Sequence, residues 1–305
     1  MNKGIIASII SYVIWGFFPI YFHALSSVPA EQTTSHRVVW SFLFIMLVIL
    51  IRKEFKSFIG SLTWRKIGIY FIAGALLAIN WGTYVWAVGQ DRVVETSLGY
   101  FINPIVSVLL GVIFLREKLR RWQWVVVVLA FLGVTYITYS YHQLPWISLV
   151  LAFSFALYGL IKKLAPLGSL HGLALETMMI FIPAFVILIV AQTNGRGAFG
   201  HTTPLINVLL WLTGIVTAIP LLLFSVGAKN VPLSTIGILQ FIAPTIQFLL
   251  GIYLFHEVFT VSHLYGFIVI WLALIIFSVE SFIFYRRMSG QNKANVLPGE
   301  IGEIV

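Results

Sequence analysis

The sequence predicts an all-α integral membrane protein in which ten transmembrane helices form two related halves of opposite orientation. Three observations lead to this prediction: an apolar composition, ten apolar runs of membrane-spanning length, and a set of residues that recurs at a fixed spacing. Of the 305 residues, 60% are hydrophobic and 10% are charged, whereas soluble domains carry about 25% charged residues. So few charges cannot cover a soluble domain of this size, and the lipid bilayer is the solvent that fits.

The order of the elements follows from the apolar runs, because a helix needs about 20 apolar residues to cross the hydrocarbon core. The predicted spans are 4–23, 29–51, 67–89, 94–115, 122–140, 145–161, 170–192, 204–227, 232–255 and 262–285. Short loops separate the spans. A polar segment, 288–305, follows the last span, and its Gly, Pro and Asn content predicts disorder.

The distribution of positive charge predicts the orientation. With the N-terminus in the cytoplasm, sixteen Lys and Arg residues lie on the inner side and three lie on the outer side. Positively charged loops favour the cytoplasm, so both termini are predicted to be cytoplasmic. This placement also explains the net charge of +9, and we expect no nucleic-acid partner.

An internal repeat divides the chain into two halves, 1–142 and 143–287. The segment 101–104 (FINP), followed by Gly111 and Glu117, recurs as 241–244 (FIAP), Gly251 and Glu257, each at an offset of 140 residues. Each half holds five spans, an odd number, so the second half enters the membrane from the opposite side. Inverted repeats of this kind are typical of secondary transporters, whose solute site lies between the repeats.

Three segments carry a family likeness. The segments 12–19 (YVIWGFFP), 80–88 (NWGTYVWAV) and 95–104 (ETSLGYFINP) resemble the RarD branch of the EamA transporters, within the drug/metabolite transporter superfamily. The resemblance covers the chain apart from its C-terminal segment. It implies ten helices in a five-plus-five inverted repeat, a bacterial inner (plasma) membrane location and a permease-like role. It also implies a loose association with chloramphenicol sensitivity and no particular substrate.

Arg37 is the first candidate for binding the solute. It lies about 12 Å into the second span, with His36 and Trp40 in the same turn. A guanidinium at this depth could bind a carboxylate or phosphate on a solute. Alternatively, the long side chain could reach back to the outer headgroups. We favour the binding role for Arg37 and Trp40, and consider His36 a candidate gating residue.

Two acidic residues are candidates for coupling or gating. Glu176 occupies the comparable position of the seventh span, at an offset of 139 residues from Arg37 and in the opposite leaflet. A carboxylate there could exchange a proton with the cytoplasm, or form an ion pair that holds two helices together. Glu95 opens the fourth span, where its charge suits a helix N-terminus, and a gating role is the alternative.

Aromatic and amide side chains at helical spacing predict the wall of the binding site. Asn80 and Tyr84 are four residues apart and share one face of a helix, and Tyr100 and Asn103 share another. The other predicted wall residues are Trp15, Trp81, Tyr158 and Gln240. Such a wall suits a small amphipathic organic solute, although Trp and Tyr also form belts at membrane interfaces.

Pro104 and Pro244 occupy equivalent positions inside their spans and are predicted hinges, with static bends as the alternative. The chain has no cysteine, and its seven histidines lack metal-ligand spacing, so neither a metal nor another cofactor is predicted.

These features predict a secondary active transporter that moves a small solute through the lipid bilayer by alternating access, with protons as a candidate coupling ion. The sequence contains neither a G-x-x-x-x-G-K-[ST] phosphate loop nor a G-x-S-x-G nucleophile turn, and we expect no enzymatic activity. A membrane-embedded binding or accessory protein without transport of its own is the alternative, followed by an intramembrane enzyme.

Overall fold

The computed structural model describes residues 3–89, 93–139 and 146–254, together with single positions of the last predicted span between 265 and 280. These residues form α-helices and no strand. The helices are α1 (Lys3–Gly16), α2 (Phe18–His23), α3 (Ala30–Ile51), α4 (Phe55–Gly60), α5 (Trp64–Gly89), α6 (Val93–Leu115), α7 (Arg121–Tyr139), α8 (Trp146–Leu164), α9 (Ser169–Thr193), α10 (Pro204–Asn230), α11 (Leu233–Leu239) and α12 (Ile242–Tyr253).

Six helical segments of this described part are long and apolar enough to cross a membrane, the first of them formed by α1 and α2 together. Three shorter apolar helices lie within α6, within α7 and across the junction of α11 and α12. Both ends of each of the first nine predicted spans lie within three residues of the ends of an observed helix or helix pair. The described positions of the tenth span are helical, and the segment 288–305 lies outside the described residues.

Pro19 interrupts the helix between α1 and α2, and a glutamine bonds the carbonyl group that the interruption leaves free. Pro19 has no backbone N–H, so the carbonyl oxygen of Trp15, four residues earlier, loses its usual helical donor. The side-chain amide nitrogen of Gln247, on α12, donates to that carbonyl at 3.0 Å. The polar group that the break releases is therefore satisfied by a helix from the other predicted half.

The two predicted hinge prolines differ in their surroundings. Helix α6 continues without a break through Pro104, whereas α11 ends at Leu239 and α12 begins at Ile242, just before Pro244. The backbone N–H of Ala243 donates to the carbonyl oxygen of Gln240 at 3.3 Å across this junction. The two predicted halves therefore differ at these positions, and movement at either proline stays a prediction.

Helices of the two predicted halves pack mainly on each other, and they do so in matched pairs. Helix α1 packs on α10 and α5 packs on α8, while α3 packs on α10 and α5 packs on α9. Helix α6 packs on α8, and its equivalent pair is α1 packed on α11 and α12. Two further pairs, α3 with α9 and α6 with α11, complete the bundle.

Two glycines at equivalent positions allow close approaches between helix backbones. A Cβ atom added to Gly74, on α5, would lie 2.9 Å from the carbonyl oxygen of Glu176 on α9, and one added to Gly214, on α10, would overlap the backbone of Trp40 on α3. The two glycines are 140 residues apart, which is the offset of the sequence repeat. Each predicted half thus uses a glycine to bring its third predicted span against the second predicted span of the other half.

We predict that Gly214→Ala lowers the thermal unfolding midpoint of the purified protein, because the new methyl group forces α10 away from α3. Overpacking of this kind costs about 1–3 kcal/mol. The matched control is Gly68→Ala, where the added methyl group meets nothing within 4 Å. Equal midpoints for the two variants, measured in the same detergent, would contradict the prediction.

Candidate functional site

A cavity lies between helices of both predicted halves, in the middle of the bundle. It holds about 890 Å³ of empty space, a volume that includes the open solvent at its mouth. The lining residues are Tyr12, Trp15, Phe18, Pro19, Phe22, Arg37, Asn80, Trp81, Tyr84, Tyr100, Asn103, Phe155, Thr217, Leu221, Gln240, Ala243, Pro244 and Gln247.

Arg37 is a buried cation without an acidic partner. Its side chain is 7% exposed, and its Nε donates to the hydroxyl of Thr217 at 3.1 Å. The guanidinium carbon lies 4.6 Å from the centre of the Trp81 ring and 4.8 Å from that of Phe22. Among the described residues, no carboxylate pairs with Arg37, and its terminal nitrogens make no hydrogen bond. Aromatic faces and one hydroxyl thus stabilise the charge while its terminal N–H donors stay available.

The Asn80 amide has a fixed orientation. Its nitrogen donates to the backbone carbonyl oxygen of Leu151 and to the hydroxyl of Ser154, each at 2.9 Å. A carbonyl oxygen can only accept, so this contact identifies the nitrogen and leaves the Asn80 oxygen as the acceptor of the pair. The side chain therefore ties α5 to α8 and offers one acceptor at the cavity wall.

A chain of neutral polar groups lines another part of the cavity. The Ser107 hydroxyl lies 3.1 Å from the Asn103 side-chain oxygen and 3.2 Å from that of Gln240. With both amide oxygens directed at Ser107, the two amide nitrogens are the groups left to donate. The Tyr12 hydroxyl faces Gln240, is buried, and makes no well-formed hydrogen bond. This part of the wall therefore offers donors without net charge.

Eight of the ten predicted solute-binding residues line the cavity: Trp15, Arg37, Asn80, Trp81, Tyr84, Tyr100, Asn103 and Gln240. The prediction missed Phe18, Phe22, Phe155 and Thr217. For two of these a signal existed in the sequence. Phe18 and Phe22 follow Trp15 by three and seven residues, a spacing that places all three on one helix face.

Trp40 and His36 do not line the cavity. Trp40 donates its indole N–H to Nδ1 of His36 at 3.2 Å, and both rings pack against Phe199. His36 is one residue from Arg37, a rotation of about 100° that places it on another face, whereas Trp40 is three residues away and its ring is turned towards Phe199. The gating role of His36 stays a prediction.

Tyr158 and Glu176 also lie away from the cavity, in a buried ion pair. Nζ of Lys162 lies 2.8 Å from one carboxylate oxygen of Glu176, and the Tyr158 hydroxyl donates to the other at 3.0 Å. Lys162 and Glu176 are 1% and 0% exposed. Lys162 lies just outside the sixth predicted span, 145–161, and the sequence did not indicate that it pairs with Glu176. Of the two alternatives expected for Glu176, an ion pair and a coupling site, the ion pair is present in the structure. A coupling role stays a prediction.

Further contacts close the same end of the bundle, which we call the basic end and define by Lys162, Lys163 and Lys229. Nζ of Lys163 donates to the carbonyl oxygen of Val231 at 2.6 Å, and Nζ of Lys229 donates to that of Ala165 at 2.9 Å. These bonds join the end of α8, the loop after it and the end of α10.

Glu117 caps the first turn of α11 at the basic end. One carboxylate oxygen accepts from the backbone N–H of Leu233 at 2.7 Å. The other accepts from the backbone N–H of Ser234 at 2.9 Å and from its hydroxyl at 2.7 Å. A carboxylate satisfies the unpaired amides at a helix N-terminus and suits the helix dipole. This contact joins the two predicted halves.

Three further acidic residues, Glu95, Glu257 and Glu280, were considered for their positions at or within the predicted spans. The side chain of Glu95 and the whole of Glu257 lie outside the described residues. Glu280 pairs with Arg120, whose terminal nitrogen lies 2.5 Å from the carboxylate. Within the part of the chain that the structure describes, no group of three or more His, Asp or Glu side chains could hold a metal ion.

Comparisons with known proteins agree on one family. The EamA-like transporter family matches residues 2–139. An uncharacterized transporter of Bacillus subtilis, YojE, is 45% identical and is aligned over 94% of this chain and 97% of its own length. The RarD proteins of Streptomyces exfoliatus and Escherichia coli are 41% and 38% identical, over 96% and 94% of this chain and 93% and 98% of their own lengths.

A solved crystal structure shares the fold at 14% sequence identity. Its TM-score is 0.70, and the match covers 90% of this chain and 97% of the other.

We predict that Lys162→Met destabilises the protein strongly, because it leaves the Glu176 carboxylate buried and unpaired. Breaking one side of a buried ion pair costs about 3–5 kcal/mol. The double variant Lys162→Met with Glu176→Gln should recover most of the lost thermal stability, since it removes both charges and keeps a partner for Tyr158. A double variant no more stable than the single one would show that the charges are not coupled.

Proposed function

Because the chain belongs to the RarD-type branch of the EamA-like transporter family, we propose that it is a secondary carrier for a small amphipathic organic solute in a bacterial inner membrane. One observation carries this proposal: a cavity built by both predicted halves combines a buried cation, aromatic walls and neutral amides. A site between two repeats is where secondary carriers bind their solutes.

The proposed architecture is a five-plus-five inverted repeat with both termini in the cytoplasm, its halves spanning 1–142 and 143–287. The matched helix pairs support it, since α1 with α10 mirrors α8 with α5 under an exchange of the two halves. The equivalent glycines Gly74 and Gly214 support it further. In this arrangement the basic end faces the cytoplasm.

The distribution of the lining residues supports alternating access, with the described form open away from the cytoplasm. Every lining residue lies seven or more residues, about 10 Å along a helix, from the basic end of its segment. At the opposite end, Phe22 lies one residue from the end of α2. In the proposed cycle, the contacts at the basic end break when the cavity opens to the cytoplasm.

We propose Glu117 as the latch of the cytoplasmic side. It belongs to the first half, yet it holds the N-terminus of α11 in the second half by three hydrogen bonds. Glu176 is the candidate coupling residue, because a proton on its carboxylate would remove the partner of Lys162 and weaken the closure between α8 and α9.

The carrier proposal predicts protein-dependent flux. Purified protein in liposomes should exchange at least one labelled solute from a panel of small amphipathic metabolites, and a pH gradient should change the rate if protons are coupled. Folded protein that binds a solute without moving it would support a binding or accessory role instead. Folded protein that neither binds nor moves any member of a broad panel would contradict the proposal.

The latch proposal predicts that Glu117→Ala shifts the protein towards the form open at the basic end. The native chain has no cysteine, so Ile236→Cys, which is buried in α11, supplies a single labelling site. Loss of charge-assisted hydrogen bonds worth about 1.5–3 kcal/mol should raise the rate of labelling by an impermeant maleimide by roughly ten- to a hundredfold. The control is Lys118→Ala, at the exposed neighbouring position. Equal rates in both backgrounds would remove Glu117 from the latch.

A further inference from the structure

We infer that the solute of this cavity is an organic monoanion, a carboxylate with an apolar body, rather than a zwitterion, a dianion or a cation. This inference rests on the proposed carrier function and deepens it by assigning a substrate class to the same site. It comes from the balance of charge in the cavity and from the donors that the protein leaves unused.

The charge balance gives the first argument. Arg37 is the one charged side chain among the described lining residues, and none of them is acidic. A buried cation is stabilised by an anion far more than by neutral groups. A monoanion leaves the occupied cavity neutral, a dianion leaves an unpaired negative charge, and a cation adds to the charge that is already there.

The same balance argues against a zwitterion. Its ammonium group would need a carboxylate, or several strong acceptors, to leave water. The fixed amide acceptors at the wall are the uncharged oxygens of Asn80 and Gln247, because those of Asn103 and Gln240 are directed at Ser107. The cavity therefore binds the negative group of a solute well and has little to offer a positive one.

The geometry at Arg37 favours a carboxylate in a defined place. Nε is engaged by Thr217, and the rings of Trp81 and Phe22 contact the guanidinium through their faces. The terminal N–H groups are then the donors that a solute can reach, and such a pair matches the two oxygens of a carboxylate.

The rest of the wall suits an uncharged body. The ring centres of Trp15 and Phe155 are 5.6 Å apart, and those of Tyr84 and Tyr100 are 5.9 Å apart. Much of the cavity surface is therefore aromatic. The neutral donors around Gln240 could bind a carbonyl, ether or hydroxyl oxygen at the far end of the solute.

The test uses five probes that share one aromatic body and differ in charge: 3-phenylpropanoate, 3-phenylpropanamide, phenylalanine, phenylsuccinate and 3-phenylpropylamine. Thermal stabilisation and competition against labelled 3-phenylpropanoate are measured on the full chain. We expect 3-phenylpropanoate to bind at least about tenfold more tightly than each of the other four.

Three variants connect the result to Arg37. Arg37→Gln should abolish the preference for the monoanion, whereas Arg196→Gln, at an exposed position, should leave it unchanged. Thr217→Asp places a carboxylate next to Nε of Arg37 and neutralises the cation inside a protein that should stay folded. It should also abolish binding of 3-phenylpropanoate, without loss of thermal stability.

The outcomes separate this inference from the carrier proposal. Equal or tighter binding of the amide, the amino acid, the dianion or the amine would overturn the monoanion class, and the carrier function would stand on the flux of that probe. If none of the five binds, any solute transported from the broader panel must carry one net negative charge, and a neutral or positive one overturns the inference. No flux of any solute by folded protein removes the carrier proposal and this inference with it.

Discussion

The lack of water inside a bilayer is the constraint on which the rest of this structure depends. Every backbone polar group that leaves a helix ladder must find a partner within the protein. The carbonyl released by Pro19 accepts from Gln247, and the amides that open α11 donate to Glu117. In both places the partner comes from the other predicted half, so the interruptions of the helices are also the points where the halves hold each other.

Against this background of satisfied polar groups, the cavity differs from the rest of the bundle. Lys162 and Glu176 share a buried ion pair, but Arg37 has only aromatic faces and one hydroxyl. A buried charge without a counterion is unfavourable, and a bound anion would relieve that cost. The unpaired cation is therefore the feature that relates the fold to the binding of a solute.

The sequence predicted the helical segments and most of the cavity because both depend on periodicity, which is local. Hydrophobic length placed nine spans within three residues of observed helices, and spacing brought Asn80 and Tyr84 to one wall. It failed where a partner had to come from elsewhere in the chain. Lys162 was assigned to a loop, since nothing near it in sequence indicates that α8 continues to Leu164 and buries that lysine against α9. Trp40 was assigned to the site because it is close to Arg37 in sequence, although its ring packs against Phe199.

The junction between α1 and α2 has a mechanical consequence. The helical hydrogen bond that the Trp15 carbonyl loses is replaced by one from Gln247 on α12. The rigidity of the α1–α2 junction therefore depends on the position of α12. A displacement of α12 would act on α2 as on a lever whose pivot lies at Phe17. Phe22, near the far end of that lever, covers the guanidinium of Arg37. Rearrangement in one half would thus uncover or shield the charge in the other, with no need for either helix to unwind.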